Sequence, residues 1–291
     1  MYIVKMNIHA TCKPDRQPIF KPRAKDTTNP YVTSYEREIN FRYFYMTNME
    51  YDYLIENYEI HEIELISVMQ FEPNKDIDFK GFISEQREIK ENSKGTKRRI
   101  AKDTQNSSYG RFAYNDKQVP QYKYEIEDDV VVKKRIVNGV GEPIDKVIGD
   151  MNVDVQVAVF ITAYARVKLG KACNTVGVER VVYTDTDSIH ILGWDKPNLD
   201  IHPYRYGAWK LENQARQGKY LQPKTYADEI KVDGKWEWIF KQAGYNGEPL
   251  KLSDFKLGQE VTVLRRQHVQ GGILLRCLLY TSDAADDLLC V

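Results

Sequence analysis

Alternation of apolar and polar residues is the first pattern in this chain. Residues 1–10 alternate, and residues 60–71 form a second apolar-rich run of similar length. Both runs predict strands with one buried face. Residues 48–58 lie between them and predict a helix, whereas the Pro- and Lys-rich residues 13–30 predict an irregular connection.

A helical hairpin is predicted next along the chain. Residues 78–90 form one helix and residues 96–112 the other, with the polar break Asn92-Ser93-Lys94-Gly95 between them. A short break of this kind is typical of two antiparallel helices. Residues 114–150 then change to short β segments, and Asn138-Gly139 is a strong hairpin-turn signal.

The second half of the chain mixes one helix with several strands. Residues 152–172 carry an apolar stripe at helical spacing, which predicts a helix packed on a sheet. The strand-like segments 180–184 and 188–192 flank Asp185-Thr186-Asp187, and residues 235–242 predict a further strand.

Composition indicates an ordinary folded protein. Of the 291 residues, 42% are hydrophobic and 29% are charged, which is far from the composition of a disordered chain. Lys plus Arg equals Asp plus Glu at 42 each, so net charge gives no argument for nucleic acid. The local charge does give such an argument. Residues 87–111 hold eight basic residues against three acidic ones, and a basic stripe of this kind is able to bind phosphate.

The spacing of the cysteines and the lack of a long apolar run indicate where in the cell the protein works. The four cysteines show no C-x-x-C spacing, so neither a zinc ribbon nor a disulfide framework is predicted. No apolar run approaches the length needed to span a bilayer. We therefore expect a soluble, cytoplasmic protein with no membrane partner.

Asp185 and Asp187 carry the strongest chemical signal. Two carboxylates at spacing two in a hairpin tip are expected to project to the same side. Such a pair would repel unless a divalent cation lay between or beside them. An Asp-rich turn without chemistry is the alternative for a bare D-x-D pattern.

Lys102, Asn106 and Tyr109 form a second candidate group. Their spacings of four and three place them on one face of the second predicted helix. That face could offer an ammonium to a triphosphate and an aromatic ring to a base. The alternative is a solvated lysine on a helix that ends at a glycine.

A third candidate group interleaves basic and aromatic residues. Lys224-Thr225-Tyr226 follows Lys219-Tyr220-Leu221, a composition suited to a groove that tracks a nucleic-acid strand. As a three-residue motif it is short, and it gains meaning from its place just after the Asp-Thr-Asp segment.

Together these segments resemble family B DNA polymerases, most of all the protein-primed polymerases of bacteriophages. Tyr183-Thr184-Asp185-Thr186-Asp187-Ser188 resembles the metal-binding motif of that family, and Lys224-Thr225-Tyr226 resembles its Lys-x-Tyr primer motif. Lys102 with Asn106-Ser107-Ser108-Tyr109-Gly110 resembles its fingers motif, although Asp103-Thr104-Gln105 stands where relatives are usually apolar. Lys90 matches a phosphate-binding lysine of the protein-primed branch.

The resemblance implies roles for these residues. Asp187, assisted by Asp185, would hold two Mg²⁺ ions. The residues implied to bind the incoming dNTP and shape its pocket are Lys90, Lys102, Asn106, Tyr109 and Tyr183. Those implied to hold primer or DNA are Ser107, Gly110, Lys224, Thr225 and Tyr226.

The resemblance also implies an α+β fold: an antiparallel palm sheet with packed helices, helical-hairpin fingers, two β-rich insertions and a small thumb. The implied boundaries are 1–76 for a first insertion that engages the terminal protein, 77–113 for the fingers, 114–150 for a second insertion that supports strand displacement, 151–240 for the palm and 241–276 for the thumb. Residues 277–291 resemble a translated sequencing-adapter sequence, with a natural acidic tail as the alternative.

Two motifs expected of the family do not occur in the sequence. These are the D-x-x-S-L-Y-P segment, whose Asp would complete the metal site, and the D-x-E exonuclease motif. We therefore expect a truncated reading frame or one chain of a split polymerase, inactive alone and working with an upstream half, primer-template DNA, dNTPs and a terminal protein primer. The alternative is a non-catalytic module that binds DNA or terminal protein.

Overall fold

The structure is a computed structural model of the chain. It describes residues 1–21, 35–72, 79–112, 119–120, 122–127, 130–135, 145–146, 155–203, 205–242, 251–253, 255–256, 260–269 and 272–281. These residues form two compact units.

The described residues of the first unit combine a three-stranded antiparallel sheet with four α-helices. The central strand of the sheet is the first in the chain, and the third strand is at one edge. Its elements are β1 Tyr2–Cys12, β2 Glu38–Thr47, α1 Asn48–Asn57, β3 Tyr58–Gln70, α2 Phe79–Asn92, α3 Gly95–Phe112 and α4 Val155–Val176.

Strict alternation along β1 builds the core of this unit. Every second side chain of the strand, from Val4 to Cys12, is buried. Tyr53 and Leu54 of α1 and Val167 of α4 belong to the same cluster. Because successive strand residues face opposite sides, this alternation fixes which face of the sheet receives the helices.

Helix α4 approaches the rest of this unit closely at Gly170. A Cβ added there would lie 2.7 Å from Cγ2 of Ile19 and 2.9 Å from the hydroxyl of Tyr53. One turn further on, Asn174 donates to the Tyr53 hydroxyl at 3.2 Å and to Oδ1 of Asn57 at 3.0 Å. The glycine therefore allows close contact, and the asparagine satisfies buried polar groups.

A capping box begins α1 and also joins it to α4. The Thr47 hydroxyl accepts from the main chain of Glu50, and the Glu50 carboxylate accepts from the main chain of Thr47. The same carboxylate pairs with Arg166 of α4. This arrangement satisfies the free N–H groups of the first turn and the charge of a buried glutamate.

The second unit consists of strands. It contains a two-stranded antiparallel hairpin at residues 181–191 and a three-stranded antiparallel meander at residues 215–242. The strands are β4 Val119–Pro120, β5 Tyr122–Glu127, β6 Val130–Arg135, β7 Asp145–Lys146, β8 Val181–Asp185, β9 Ser188–Ile191, β10 Ala215–Gln222, β11 Thr225–Val232, β12 Lys235–Gln242, β13 Glu260–Val269 and β14 Gly272–Thr281.

The elements predicted from the sequence are confirmed in type and order. The α+β class with antiparallel sheets is confirmed, and so is the helical hairpin, in which Phe79 at the start of α2 contacts Phe112 at the end of α3 with ring centroids 5.2 Å apart. α4, assigned to the palm by resemblance, belongs to the first unit. The domain boundaries themselves stay predictions.

Parts of the sequence predictions fall outside the described residues. These include residues 22–30 of the predicted irregular connection, the turn at Asn138-Gly139 and residues 282–291 of the predicted adapter-derived tail. The earlier tail residues up to Thr281 pair with β13 as part of β14. Cys12 and Cys173 are buried free thiols, and no helix within the described ranges is long and apolar enough to cross a bilayer.

Candidate functional site

Asp185 and Asp187 lie at the tip of the β8–β9 hairpin. Asp185 is the last residue of β8 and pairs with Ser188, so Thr186 and Asp187 form a two-residue turn. We call residues 185–187 the carboxylate turn. Thr186 has a φ of 43°, a conformation that side-chain-bearing residues adopt rarely. Asp185 is half-buried and Asp187 is exposed.

The two carboxylates differ in their hydrogen bonding. The Thr186 hydroxyl donates to Oδ1 of Asp185 at 3.0 Å, and the Ser188 hydroxyl donates to the Asp185 carbonyl at 3.0 Å. Within the described part of the chain, Asp187 has no hydrogen-bonding or ion-pair partner. Asp187 is thus the carboxylate more available to a cation.

A hard divalent cation suits this pair of oxygen donors. Mg²⁺ prefers carboxylate oxygens and completes its octahedral shell with waters and substrate phosphates. Among the described residues, no group of three or more His, Cys, Asp or Glu side chains forms a complete metal site. The turn therefore offers part of a Mg²⁺ site, to which other donors would have to be added.

Lys224 lies at the tip of the neighbouring β10–β11 hairpin. Gln222 pairs with Thr225, so Pro223 and Lys224 form a two-residue turn that we call the lysine turn. Lys224 has a φ of 58° and is exposed. Proline followed by a left-handed residue is typical of a type II turn. Thr225 is only 4% exposed, so its side chain is buried behind the turn.

Four rings from the two hairpins pack into one cluster. Tyr183 and His190 are opposite each other in β8–β9, and Tyr220 and Tyr226 are opposite each other in β10–β11. All six pairs of ring centroids are 4.9–5.8 Å apart. Such separations are within the range of favourable aromatic contacts. We call these residues the ring cluster.

Hydrogen bonds run along the edges of the ring cluster. The main-chain N–H of Lys224 donates to the Tyr183 hydroxyl at 2.7 Å. The Tyr220 hydroxyl donates to Oδ1 of Asp228 at 2.9 Å and lies 3.0 Å from Nδ1 of His190. The two hairpins are thereby joined by both packing and polar contacts.

Burial changes the acid–base behaviour of the cluster. It lowers the pKa of the His190 imidazole, while the carboxylates of Asp228, Glu212 and Asp185 oppose that change. Burial raises the pKa of the Tyr220 phenol, and the negative charge of Asp228 adds to the effect. At neutral pH His190 is therefore uncharged and Tyr220 keeps its proton.

The third group of predicted residues lies on the helical hairpin of the first unit. Lys102, Asn106 and Tyr109 are exposed and share one face of α3, as their spacing predicts. The packed face of α3 contains Ala101 and Gln105, and Gln105 donates to the carbonyl of Ile83 in α2 at 3.2 Å.

The other predicted residues of the hairpin have varied settings. Lys90 is half-buried in the last turn of α2, and its carbonyl accepts from Arg98 at 3.1 Å. The Ser107 hydroxyl donates to the carbonyl of Asp103 at 2.7 Å. Gly110 has open space around its Cα, so internal packing does not require a glycine there.

A family model matches residues 5–203, more than half of the chain. It describes DNA polymerase type B, organellar and viral. The chain belongs to this family. The resemblance to protein-primed phage polymerases that the motifs indicate is confirmed.

Known phage polymerases are similar to this type B polymerase chain. The DNA polymerase of Bacillus phage Nf is 34% identical over 200 residues, which cover 66% of this chain and 32% of that protein. The DNA polymerase of Streptococcus phage Cp-1 is 29% identical over 254 residues, which cover 85% of this chain and 42% of that protein.

Solved structures extend the likeness to the fold. Phi29 DNA polymerase complexed with primer-template DNA and incoming nucleotide substrates has a TM-score of 0.77 and 25% sequence identity, and the match covers 96% of this chain and 50% of that one. The chain thus spans about half the length of the solved polymerase and a smaller share of the curated relatives.

Sequence reasoning missed His190 and Asp228 of this polymerase chain, and it named Tyr220 only as part of the interleaved basic and aromatic segment. His190, Tyr220 and Asp228 belong to no motif quoted for the family, yet they connect the two turns. A partial signal existed for His190, because a two-residue turn at Thr186-Asp187 places it opposite Tyr183. Asp228 gave none, since a carboxylate two residues beyond Tyr226 resembles any exposed strand residue.

Proposed function

We propose that this chain supplies the nucleotide-binding and primer-binding parts of a DNA-directed DNA polymerase. The reaction would be nucleotidyl transfer from a dNTP to a primer 3′-hydroxyl, in protein-primed phage DNA replication. The observation that carries the proposal is the 2.7 Å hydrogen bond between Lys224 and Tyr183. It joins the turn that resembles the primer motif to the strand that leads into the carboxylate turn.

Asp187 would be the main ligand of the divalent ions, with Asp185 assisting and orienting. When bound, two Mg²⁺ ions neutralise the charge that develops on the attacking and departing oxygens of an in-line displacement. Two carboxylates are fewer donors than two such ions need, so a further protein segment would complete the site. The chain alone would therefore not extend a primer.

The basic residues would bind two different ligands, and Lys90 and Lys102 would bind the incoming nucleotide. Lys102 and Lys90 would neutralise triphosphate charge, while Asn106 and Tyr109 would shape the pocket of the nascent base pair. Each lysine would act as a point charge near phosphate oxygens. Tyr183 of β8 would also contact the incoming nucleotide.

A second set of residues would hold the primer strand. Lys224 would contact its phosphates, and Tyr226 would support the terminus from the ring cluster. Thr225 is buried, so it would contribute through its main chain. Ser107 and Gly110 would present an exposed stretch of α3 to DNA.

The remaining assignments follow from the same proposal. Residues 77–113 would be the fingers, residues 1–76 and 114–150 the two insertions, and the first of these would meet a terminal protein. The palm and thumb would follow at 151–240 and 241–276, and the enzyme would work in the cytoplasm of a bacterial host.

The test is primer extension by the purified chain, alone and mixed with the purified N-terminal part of the Bacillus phage Nf polymerase. We expect extension only in the mixture, because the described residues of the chain offer too few metal ligands. Asp187→Asn in the mixture should abolish extension. Extension that survives Asp187→Asn would contradict the metal assignment. DNA binding without extension in any mixture would instead favour a non-catalytic DNA-binding module.

A further inference from the structure

We propose that His190, Tyr220 and Asp228 are positioning residues that couple the carboxylate turn to the lysine turn. Occupancy of the first turn by a divalent ion would then strengthen the hold of the second on a primer terminus. The inference rests on the proposed function, because it assigns cation and DNA to these two turns.

The ring cluster gives the coupling its mechanical basis. Each hairpin contributes one cross-strand pair, Tyr183 with His190 and Tyr220 with Tyr226. Tyr183 stacks on Tyr220 with 22° between the ring planes, and His190 meets Tyr220 edge-on at 89°. Stacked and edge-on contacts together resist both sliding and tilting of one hairpin against the other.

The number of available protons determines the direction of each hydrogen bond at the ring cluster. A phenol has one proton, and Tyr220 donates it to Asp228 at 2.9 Å. Nδ1 of His190, 3.0 Å from the same hydroxyl, must then donate to it. The result is a directed chain from His190 through Tyr220 to Asp228, which fixes the tautomer of the histidine as Nδ1–H.

The chain of bonds is protected from solvent. The side chains of His190 and Asp228 are only 21% and 16% exposed, and burial lowers the pKa of His190. The geometry requires a proton on Nδ1, and the lowered pKa favours the neutral form of the imidazole. Because protected hydrogen bonds next to an ionised carboxylate are strong, the chain is suited to hold β9 against β10 and β11.

The other edge of the ring cluster reaches the lysine turn directly. The Tyr183 hydroxyl accepts from the main chain of Lys224, and Tyr183 is two residues before Asp185. A cation that draws the Asp185 and Asp187 carboxylates together would order β8. Tyr183 would transmit that order to Lys224 only while the bonds from His190 through Tyr220 to Asp228 hold the two hairpins together. Linkage requires the reverse as well, so primer held at Lys224 would strengthen cation binding.

The adjacent residues Asp228 and Glu229 provide a matched pair of variants. Both are carboxylates of β11 that accept from a β10 side chain. Asp228 accepts from Tyr220 at 2.9 Å, and Glu229 accepts two hydrogen bonds from Arg216, at 2.7 and 2.8 Å. They face opposite sides of the strand. Asp228→Asn would break the proposed coupling, whereas Glu229→Gln would perturb the same hairpin without touching the ring cluster.

The experiment measures the dissociation constant of a fluorescent primer-template from the full chain, in EDTA and in MgCl₂ at matched ionic strength and without dNTP. For the wild type we expect about fivefold tighter binding with Mg²⁺, at the lower end of typical couplings between linked sites. Asp187→Asn should lose this enhancement and defines the background.

Tyr220→Phe keeps the ring and removes only the hydroxyl. We expect it and Asp228→Asn to fall to the Asp187→Asn background while binding DNA normally in EDTA, and Glu229→Gln to keep the full enhancement. Full enhancement in both Tyr220→Phe and Asp228→Asn would overturn the inference, as would a wild type without enhancement. Absence of DNA binding by the wild type, or unchanged binding by Lys224→Ala, would overturn the proposed function itself.

Discussion

The main-chain N–H of Lys224 donates to the hydroxyl of Tyr183, a residue 41 positions earlier in the chain. Tyr183 begins the segment that contains both carboxylates, and Lys224 begins the Lys-x-Tyr segment. Two motifs that are separate in sequence thus meet at one hydrogen bond. Because Lys224 is exposed at the tip of its turn, the bond holds its main chain and leaves its ammonium available to a ligand.

Removing the Tyr183 hydroxyl should loosen the lysine turn. Tyr183→Phe keeps the ring cluster and removes the acceptor of the Lys224 N–H. We expect a loss of about 1 kcal/mol in the free energy of unfolding and weaker binding of primer-template DNA, measured by urea denaturation and fluorescence anisotropy. Tyr164→Phe on the exposed side of α4 is the control. Equal effects of both variants would contradict a specific role for this bond.

Lys102 and Lys224 should affect different ligands. Lys102→Ala removes an exposed charge from α3 and should weaken binding of a dNTP–Mg²⁺ complex without changing the affinity for primer-template. Lys224→Ala should do the reverse, because its charge is proposed to contact DNA phosphates. Titration calorimetry with each ligand checks both variants. If both variants weakened DNA binding alone, the proposed division of work would be wrong.

Any side chain at Gly170 should lower the free energy of unfolding. Gly170→Ala places a Cβ within 3 Å of Ile19 and Tyr53, and such overpacking costs about 1–3 kcal/mol. Gly110→Ala is the matched control in another helix, where nothing lies within 4 Å of the new Cβ. There the better helix propensity of alanine should add roughly 0.5–1 kcal/mol. Urea denaturation of both variants measures the two opposite signs.

The buried histidine should make stability depend on pH. The pKa of His190 is lowered in the folded chain, so the unfolded chain binds more protons between the folded and unfolded pKa values. This contribution to stability is present above about pH 6.5, the ordinary pKa of histidine, and is lost as the pH falls through the folded value.

His190→Phe keeps a ring and removes the titration. The difference in unfolding free energy between pH 5 and pH 7.5 should therefore be smaller in this variant than in the wild type. Denaturant titrations at the two pH values measure it. A difference as large as that of the wild type would show that His190 does not titrate as its burial implies.

The fold was predictable where one pattern dominated. β1 and α1 were predicted because alternation and helical character are local properties that neighbouring elements did not override. The Asp-Thr-Asp hairpin was predictable for the same reason. Polar residues at Asp103 and Gln105 left the packing of α3 undetermined, and the structure resolves it with a hydrogen bond from Gln105 to Ile83 of α2.

The ring cluster was not predictable, and a single bulge explains why. A regular two-residue turn after Gln222 would place Leu221 opposite Tyr226. Instead the register shifts between Tyr220 and Gln222, so Tyr220 is opposite Tyr226. One extra residue in a strand reverses which side chains share a face, and nothing in the local composition indicates it.

Both hairpin tips of the site hold a side-chain-bearing residue in the left-handed region, Thr186 at 43° and Lys224 at 58°. Glycine would adopt these angles without strain, and each such residue costs of order 1 kcal/mol. A directed-evolution library selected for heat resistance alone would therefore drift toward glycine or asparagine at position 224. Selection for DNA binding would retain lysine at this position. Position 224 should therefore be kept constant when the protein is engineered for heat resistance.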